Sequence, residues 1–409
     1  MKTLLVQDYL RSGKSLDDLA AEHGVYGKIT NGKIALNYDM IEAKESDPLA
    51  CQCRGLVLEE NTFNTIAVPF FRFFNWGGQD HLIPKDFDWP SAKMLEKYDG
   101  TLAICYNFKN KWYIGTRSRC EADVPMDDGH TTFAMLFDIA LREMLEKNHP
   151  NTIFHKTSNI QDFMFVFGQK AKDYTFCFEI TSPYNRIVCK YDDIKLTLLM
   201  VRNNITLEEE SPESWLDENY SGWYGLKVAE EYSFNDTSHM VEIVNSWLPE
   251  NHEGVVLVDK NFNRIKVKNI AYCLYNRLRD SLSTSVKGCI EAILLGKDDD
   301  LIGMMPPTIS DRLVRLKPVI AQVFKQVEAE YEEIKHVEVM KEFASYAEFK
   351  LWPAVMYALK RNKVSNVHTF ALGKMVDGKI SSSALETMLS LCEKMDPTIK
   401  DLKPQLPTY

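Results

Sequence analysis

The sequence predicts an α+β domain followed by an all-α domain. Short runs that alternate apolar and polar residues dominate from about Lys33 to Lys268, whereas apolar residues three and four positions apart dominate from Ile270 onward. Alternation is typical of half-buried strands, and the wider spacing is typical of amphipathic helices. We therefore expect antiparallel sheets with flanking helices in residues 1–282 and a helical C-terminal domain in residues 283–409.

The individual elements can be assigned in chain order. The first six residues look like the start of a signal peptide, but Gln7 and Asp8 interrupt the apolar run that a signal peptide would need. We therefore expect a short amphipathic helix at the N-terminus. The expected strands are Lys33–Tyr38, Arg54–Glu59, Thr65–Phe71, Leu102–Phe108, Trp112–Arg117, Tyr174–Thr181, Ile194–Val201, Gly254–Asp259 and Arg264–Lys268. The expected helices are Thr131–Lys147, Thr237–Trp247, Ile309–Ile334, Ala354–Leu359 and Ala384–Met395. The polar and then aromatic stretch Asn148–Lys172 has the character of an insertion in the first domain.

Composition excludes several protein classes. The 409 residues are 45% apolar and 26% charged with a net charge of -10, which is ordinary for a globular protein and argues against disorder. No apolar run approaches the ~20 residues of a bilayer span, so we expect no membrane association. The nine cysteines are scattered without a CxxC pair or a zinc-type cluster. We therefore expect reduced thiols in a cytoplasm.

The segment Glu96–Gly100 contains the most informative lysine in the chain. Lys97 stands just before an expected strand, at Lys-Tyr-Asp-Gly. A lysine amine normally has a pKa of ~10.4, so it becomes a nucleophile only where cationic neighbours or a metal activate it. Gly100 permits a tight turn and the close approach of a ligand. Taken alone, a lysine before an Asp-Gly turn is more often a solvated hairpin residue.

Other charged residues also stand at strand ends or inside apolar strands. Arg54 begins one strand, where its guanidinium group can hold a phosphate bidentately. Glu179 lies inside an apolar strand, so its carboxylate must be paired, bind a metal or hydroxyl, or face water at an edge. Glu253 and Gly254 open a further buried strand in the same way.

Lys266 and Lys268 alternate along one strand, so both ammonium groups project from the same face. Either an anion lies between them or the face is simply basic and exposed. Basic groups gathered with two carboxylates suit polyphosphate chemistry, in which magnesium neutralises the leaving group. The chain has no GxxxxGK[ST] loop, which argues against a P-loop enzyme.

The chain carries, in this order, Lys-x-Asp-Gly, an embedded glutamate, Glu-Gly and Lys-x-Lys. This ordered set resembles the motifs of the covalent nucleotidyltransferase superfamily of ATP-dependent ligases and mRNA capping enzymes. Further motifs resemble its bacteriophage-type ATP-dependent RNA ligase 1 family over roughly residues 30–300. These motifs are Cys53-Arg54-Gly55, Phe73-Phe74-Asn75, Asn185-Arg186-Ile187-Val188, and Tyr272 four residues after Lys268.

The resemblance implies roles for particular residues. The catalytic residues would be Lys97, Glu179, Glu253 and Tyr272, with Lys97 attacking the α-phosphorus of ATP to form lysyl-AMP. Glu253 and Asp299 would position Mg²⁺, for which Mn²⁺ is an alternative. The nucleotide would be bound by Tyr38, Arg54, Arg72, Lys97, Arg117, Glu179, Lys266 and Lys268. Arg72 stands where the family usually has lysine, and the two residues are not interchangeable at a phosphate.

The resemblance also implies an activity and partners. AMP would pass from Lys97 to an RNA 5′-phosphate, and a 3′-hydroxyl would then form the phosphodiester bond. A helical C-terminal domain favours broken tRNA as the substrate, whereas capping enzymes and DNA ligases would have a β-barrel there. We expect a monomer that works beside a polynucleotide kinase/phosphatase. The alternatives are a capping-type or DNA-joining nucleotidyltransferase and a non-catalytic RNA-end-binding protein.

Overall fold

The structure is a computed structural model that describes residues 2–77, 79–123, 131–151, 159–165, 167–216, 225–284, 286–296, 298, 301, 307–373 and 380–402. The chain divides into two compact units, residues 1–273 and 274–409. The strands are β1 Val25–Thr30, β2 Lys33–Tyr38, β3 Arg54–Glu59, β4 Thr65–Ala67, β5 Phe74–Asn75, β6 Lys93–Glu96, β7 Thr101–Phe108, β8 Lys111–Gly115, β9 Tyr174–Thr181, β10 Lys195–Asn203, β11 Glu209–Glu210, β12 Lys227–Val228, β13 Glu231–Tyr232, β14 Gly254–Val258 and β15 Arg264–Lys268. The helices are α1 Leu5–Arg11, α2 Leu16–His23, α3 Pro48–Gln52, α4 Phe133–Asn148, α5 Ile160–Phe165, α6 Thr237–Ser246, α7 Ile270–Thr284, α8 Val286–Leu294, α9 Pro307–Ile334, α10 Met340–Ala347, α11 Pro353–Lys360, α12 Val367–Leu372 and α13 Ser382–Met395.

The described residues of the first unit form three sheets. The first has the order β1-β2-β3-β4 and the second β11-β10-β9-β7-β8, with β12 beside β10. The third has the order β13-β6-β14-β15-β5. All pairings are antiparallel except β10 with β12 and β15 with β5. The predicted mixture of helices with mainly antiparallel sheets is confirmed.

The second sheet is covered on both faces. One face packs on α4 and α5 through buried aromatic rings, with Phe137 and Phe163 lying 5.6 and 5.8 Å from Phe178. The other face packs against the first sheet, where Ile104 and Cys177 meet Val57 in a shared core. Such burial on two faces explains why its central strands read as long apolar runs. The described part of the Asn148–Lys172 segment supplies α5 to this core.

A buried ionic network involves strands of the second and third sheets. Glu209 of β11 accepts a hydrogen bond from Arg202 of β10 at 2.8 Å and another from Arg264 of β15 at 3.1 Å. The three side chains are 3–8% exposed. Because β15 also carries Lys266 and Lys268, this network fixes the face of the two lysines relative to the second sheet.

The described residues of the second unit form helices around their own apolar core. Leu313 and Val323 of α9 are fully buried, and they belong to the same cluster as Phe343, Val355 and Leu391. No helix in the part of the chain that the structure describes is long and apolar enough to cross a membrane.

The structure differs from the sequence predictions at several places. The strand expected at Thr65–Phe71 stops at Ala67, since Pro69 has no N–H to donate to a ladder. The strand β6 was not predicted, because four residues are too few to show alternation. The compact units divide between residues 273 and 274, and the expected domain boundary after residue 282 lies nine residues further on in the same helix, α7.

The nine cysteines are present as thiols, and seven of them are buried. Burial raises the pKa of Cys120 to about 11 and that of Cys177 to about 12. These thiols therefore stay protonated at neutral pH.

Candidate active site

Lys97 lies directly after β6, at the edge of the third sheet. Its backbone N–H donates to the carbonyl oxygen of Gly254 at 2.9 Å, which continues the pairing of β6 with β14. Its ammonium nitrogen lies 2.5 Å from Oε2 of Glu253, and the side chain is 22% exposed. The predicted nucleophile is therefore fixed at both its backbone and its side chain.

Glu253 pairs with two lysines at once. Its second carboxylate oxygen lies 2.7 Å from the Nζ atom of Lys268, since the β14–β15 register places Gly254 opposite Lys268. Burial raises the pKa of Glu253, but the two ammonium groups outweigh burial and the net shift is downward. Glu253 thus lies between Lys97 and Lys268, whereas the anion expected between Lys266 and Lys268 stays a prediction.

The pKa of Lys97 is raised, which differs from the expectation that cationic neighbours activate it. Burial lowers its pKa, but Glu253, Glu179 and Asp99 together raise it above the ordinary value. In the ligand-free protein Lys97 is therefore an ammonium ion. Activation requires that the charge of Glu253 be neutralised or moved.

Lys266 forms no ion pair with any residue that the structure describes. Burial lowers its pKa, Arg54, Lys97 and Lys268 lower it further, and the result is about 7. Its Nζ atom lies 4.8 Å from the ring centroid of Phe73. A half-buried ammonium group among other cations is a favourable place for an added anion.

Glu179 faces this cluster from the middle of β9. Its backbone pairs with Leu102 of β7, and burial followed by repulsion from Glu253 raises its pKa to about 8, against the opposing effect of Lys97. At neutral pH the ligand-free carboxyl group is thus mostly protonated. A bound cation would ionise it.

Arg54 has a buried guanidinium group with unsatisfied hydrogen-bonding capacity. Its Nη1 atom has no hydrogen-bond partner among the described residues, and burial lowers its pKa. The next residue, Gly55, has φ +83°, and a Cβ there would come within 3.1 Å of the Cα of Arg117. Glycine is thus required where the chain brings the exposed Arg117 beside Arg54.

Tyr38 and Arg72 form the neighbouring part of the site. The Arg72 guanidinium lies 4.5 Å from the ring centroid of Tyr38, and its Nη2 atom is 3.1 Å from a carboxylate oxygen of Glu45. Its Nη1 atom is buried without a hydrogen-bond partner in the described chain. The planar arginine explains the departure from lysine, since it stacks on the ring and still pairs with an acid.

Asp99 has a role that the sequence analysis did not assign. Its carboxylate accepts hydrogen bonds from the backbone N–H groups of Val188 and Cys189 at 2.7 and 2.8 Å, and from the Tyr272 hydroxyl at 2.6 Å. A Cβ at Gly100 would lie 2.3 Å from the carbonyl oxygen of Ile180. The Asp-Gly pair therefore ties the lysine loop to β9 and to buried Tyr272.

The structure brings together all predicted site residues that it describes. Electrostatic interactions link Lys97, Glu179, Glu253, Lys266 and Arg54. Lys268 and Tyr272 join this group directly, since the Lys268 Nζ atom lies 5.6 Å from the Tyr272 ring centroid. The predicted metal residue Asp299 lies outside the described residues.

The donor set suits a hydrated magnesium ion better than a cage of protein ligands. Among the described residues, no three His, Cys, Asp or Glu side chains converge as direct ligands. Magnesium usually keeps several waters and binds one or two carboxylates together with substrate phosphates. Glu179 and Glu253 supply two such carboxylates beside the basic residues.

Comparison with known proteins agrees with the site motifs. A family model described as RNA ligase matches residues 52–272. A bifunctional polynucleotide kinase/RNA ligase, so named, of Autographa californica nuclear polyhedrosis virus is 27% identical over 289 residues, which cover 67% of this chain and 37% of that protein. The chain thus spans little more than a third of that relative.

Two further proteins are similar. An RNA ligase of Rhodothermus phage RM378 is 20% identical over 339 residues, which cover 69% of this chain and 72% of that protein. The structure of an archaeal ATP-dependent RNA ligase aligns with a TM-score of 0.41 and 13% identity, over 93% of this chain and 97% of the other. Because the family model covers more than half of the chain, including Lys97, Glu179, Glu253 and Lys268, the chain belongs to the RNA ligase family, of the bacteriophage ligase 1 type that its motifs resemble.

Proposed function

We propose that the chain is an ATP-dependent RNA ligase that joins RNA 5′-phosphate and 3′-hydroxyl ends. The observation that carries this proposal is the Lys97–Glu253–Lys268 cluster beside Lys266 and Arg54, whose cationic groups are incompletely neutralised. A triphosphate supplies the negative charge that such a group lacks. Family membership makes RNA the acceptor to test first.

The first step is an in-line displacement at the α-phosphorus of ATP. The Lys97 ammonium loses one proton to solvent before the attack and a second one as its Nζ atom bonds to phosphorus. The bond from phosphorus to the pyrophosphate oxygen breaks, and pyrophosphate leaves with that electron pair. Lys266, Lys268 and Arg54 stabilise the charge that develops on the phosphate oxygens. Deprotonation requires that Glu253 turn from Lys97 to another cation, and Lys268 already lies 2.7 Å away.

Magnesium would be held through its water shell by Glu179 and Glu253, with Asp299 as a further proposed contact. When bound, the ion would neutralise both carboxylates and the leaving pyrophosphate. Tyr38 and Arg117 would complete the nucleotide site from positions close to Arg54. Arg72 would contribute from its position over the Tyr38 ring. Manganese is an alternative to magnesium.

In the later steps AMP passes from Lys97 to the RNA 5′-phosphate, and the 3′-hydroxyl attacks that activated phosphate and releases AMP. Tyr272 would act in these steps from its buried position against Asp99. We propose residues 1–282 as the adenylyltransferase domain and the helical residues 283–409 as a tRNA-recognition domain, in a monomeric cytoplasmic enzyme. We propose a polynucleotide kinase/phosphatase as the partner that prepares the ends, and the name of the viral relative supports the kinase part of this proposal.

Incubation with α-labelled ATP and magnesium tests the proposal. The wild-type chain should acquire label on the protein, Lys97→Ala should not, and Lys147→Ala, which removes an exposed lysine of α4, should label normally. Label from GTP instead of ATP would favour a capping-type enzyme, and preferred sealing of nicked DNA would favour a DNA ligase. A wild-type protein that takes no label from either nucleotide would indicate a non-catalytic RNA-end-binding protein.

A further inference from the structure

Two dipeptides meet at the edge of the active site and are joined by two side-chain contacts. One dipeptide is Glu96-Lys97 and the other is His252-Glu253. Lys97 contacts Glu253 within the site, as described above. Glu96 instead contacts His252, whose Nδ1 atom lies 3.1 Å from Oε2 of Glu96. The acidic residue of each dipeptide thus contacts the basic residue of the other, Glu96 with His252 and Glu253 with Lys97.

The Glu96–His252 contact is built into a packed environment. Glu96 is 6% exposed, and the Tyr232 hydroxyl donates to the same carboxylate oxygen at 2.9 Å. The His252 ring packs on Trp247 with 4.6 Å between the ring centroids and an interplanar angle of 34°. A buried carboxyl group costs free energy unless it is hydrogen-bonded, and the contacts with Tyr232 and His252 satisfy Glu96.

The two contacts differ in what the reaction does to them. Formation of lysyl-AMP converts the Lys97 ammonium into a phosphoramidate whose nitrogen is uncharged and whose phosphoryl group carries a negative charge, so the attraction between Lys97 and Glu253 is lost in every catalytic cycle. Glu96 and His252 take no part in that chemistry. Their contact persists and still ties the residue before Lys97 to the residue before Glu253.

We propose that Glu96 and His252 are positioning residues that keep Glu253 in register with Lys97 while Lys97 carries the nucleotide. The inference rests on the proposed function. A loss of this contact is expected to slow AMP transfer to RNA more than formation of lysyl-AMP. Before adenylylation Glu253 is held by Lys97 and Lys268. Afterwards only the Lys268 ion pair remains, and the Glu96–His252 contact keeps the backbone of Glu253 beside that of Lys97.

Two variants of His252 separate the hydrogen bond from the packing. His252→Phe keeps a ring on Trp247 and removes the donor, whereas His252→Asn restores a donor near the Nδ1 position without the ring. In single-turnover assays, His252→Phe should slow AMP transfer from lysyl-AMP to a 5′-phosphorylated RNA about tenfold and change lysyl-AMP formation by less than about threefold. His252→Asn should remain within about threefold of wild type in both steps.

Other outcomes would overturn the inference. Equal slowing of the two steps, or wild-type rates in His252→Phe, would mean that the contact has no such role. If His252→Phe does not fold, Glu96→Leu and Glu96→Gln give the same comparison, since Gln keeps the accepting oxygen. A wild-type chain that forms no lysyl-AMP would refute the proposed function and this inference with it, whereas normal wild-type labelling with unchanged variants would refute the inference alone.

Discussion

Replacement of Lys266 by methionine is expected to stabilise the ligand-free protein while it removes a cation that we propose binds the nucleotide. Lys266 is half-buried beside Arg54, Lys97 and Lys268, which with burial lower its pKa from 10.5 to about 7. Methionine keeps most of the aliphatic length against Phe73 and carries no charge. The substitution therefore removes an electrostatic cost without leaving a large cavity.

The size of the effect follows from the pKa. A tenfold change in proton affinity corresponds to about 1.4 kcal/mol, so the lowered pKa of Lys266 would correspond to almost 5 kcal/mol for a fully buried group. Water reaches part of this side chain, and screening reduces the expected gain in unfolding free energy to about 2 kcal/mol.

The gain should depend on pH. Unfolded Lys266 holds a proton up to pH 10.5, whereas the folded residue loses it near pH 7, so the unfolded state binds more protons between these values. The cost of the wild-type residue is therefore fully present below about pH 7 and disappears toward pH 10.5. The advantage of Lys266→Met should shrink correspondingly as the pH rises.

Urea unfolding of wild type and Lys266→Met at about pH 6 and about pH 9 measures this difference. Tryptophan fluorescence reports mainly on the first unit, because six of the seven tryptophans lie before residue 274. Lys268→Met is the matched control and should lose stability, since it removes an ion pair of buried Glu253. A Lys266→Met protein that is less stable than wild type at low pH, or equally stabilised at both, would refute the reasoning.

Three further predictions concern the framework of the site. Gly100→Ala should destabilise the first unit by a few kcal/mol in urea unfolding, because its Cβ would lie 2.3 Å from a carbonyl oxygen of β9, and an unchanged midpoint would contradict this close approach. Glu209→Ala should cost about 3–5 kcal/mol, since it leaves two buried guanidinium groups uncompensated, and a loss below about 1 kcal/mol would show that water reaches them. Glu179→Gln should flatten the pH profile of thermal stability, because the folded pKa of Glu179 is raised from 4.5 to about 8 and the wild-type residue therefore loses stability as the pH rises through that range. Identical profiles for the two proteins would refute the last prediction.

The strands that sequence periodicity predicts best are those buried on one face or both. Strands β2, β3, β9 and β15 begin and end at the predicted residues, because apolar side chains recur along each of them. The short strands β5 and β11 bring only two residues each to a sheet edge, and no pattern is visible over that length. Their pairing depends on partners far away in the chain.

The identity of the site residues was easier to predict than their contacts. The motifs that contain Lys97, Glu253 and Lys268 indicated which residues belong together. The effect of Glu253 on the pKa of Lys97, however, depends on the β6–β14–β15 pairing. The contact of Arg72 with Glu45 was likewise invisible, since it arises from a loop position outside every motif. Tertiary contacts of this kind decide the pKa of each group.

The protected native thiols also make the protein convenient for site-directed labelling. Because seven of the nine sulfur atoms are shielded from water, a maleimide reagent should react fastest with a cysteine introduced at an exposed position. A fluorophore or spin label can then be attached to either unit without first replacing the native cysteines.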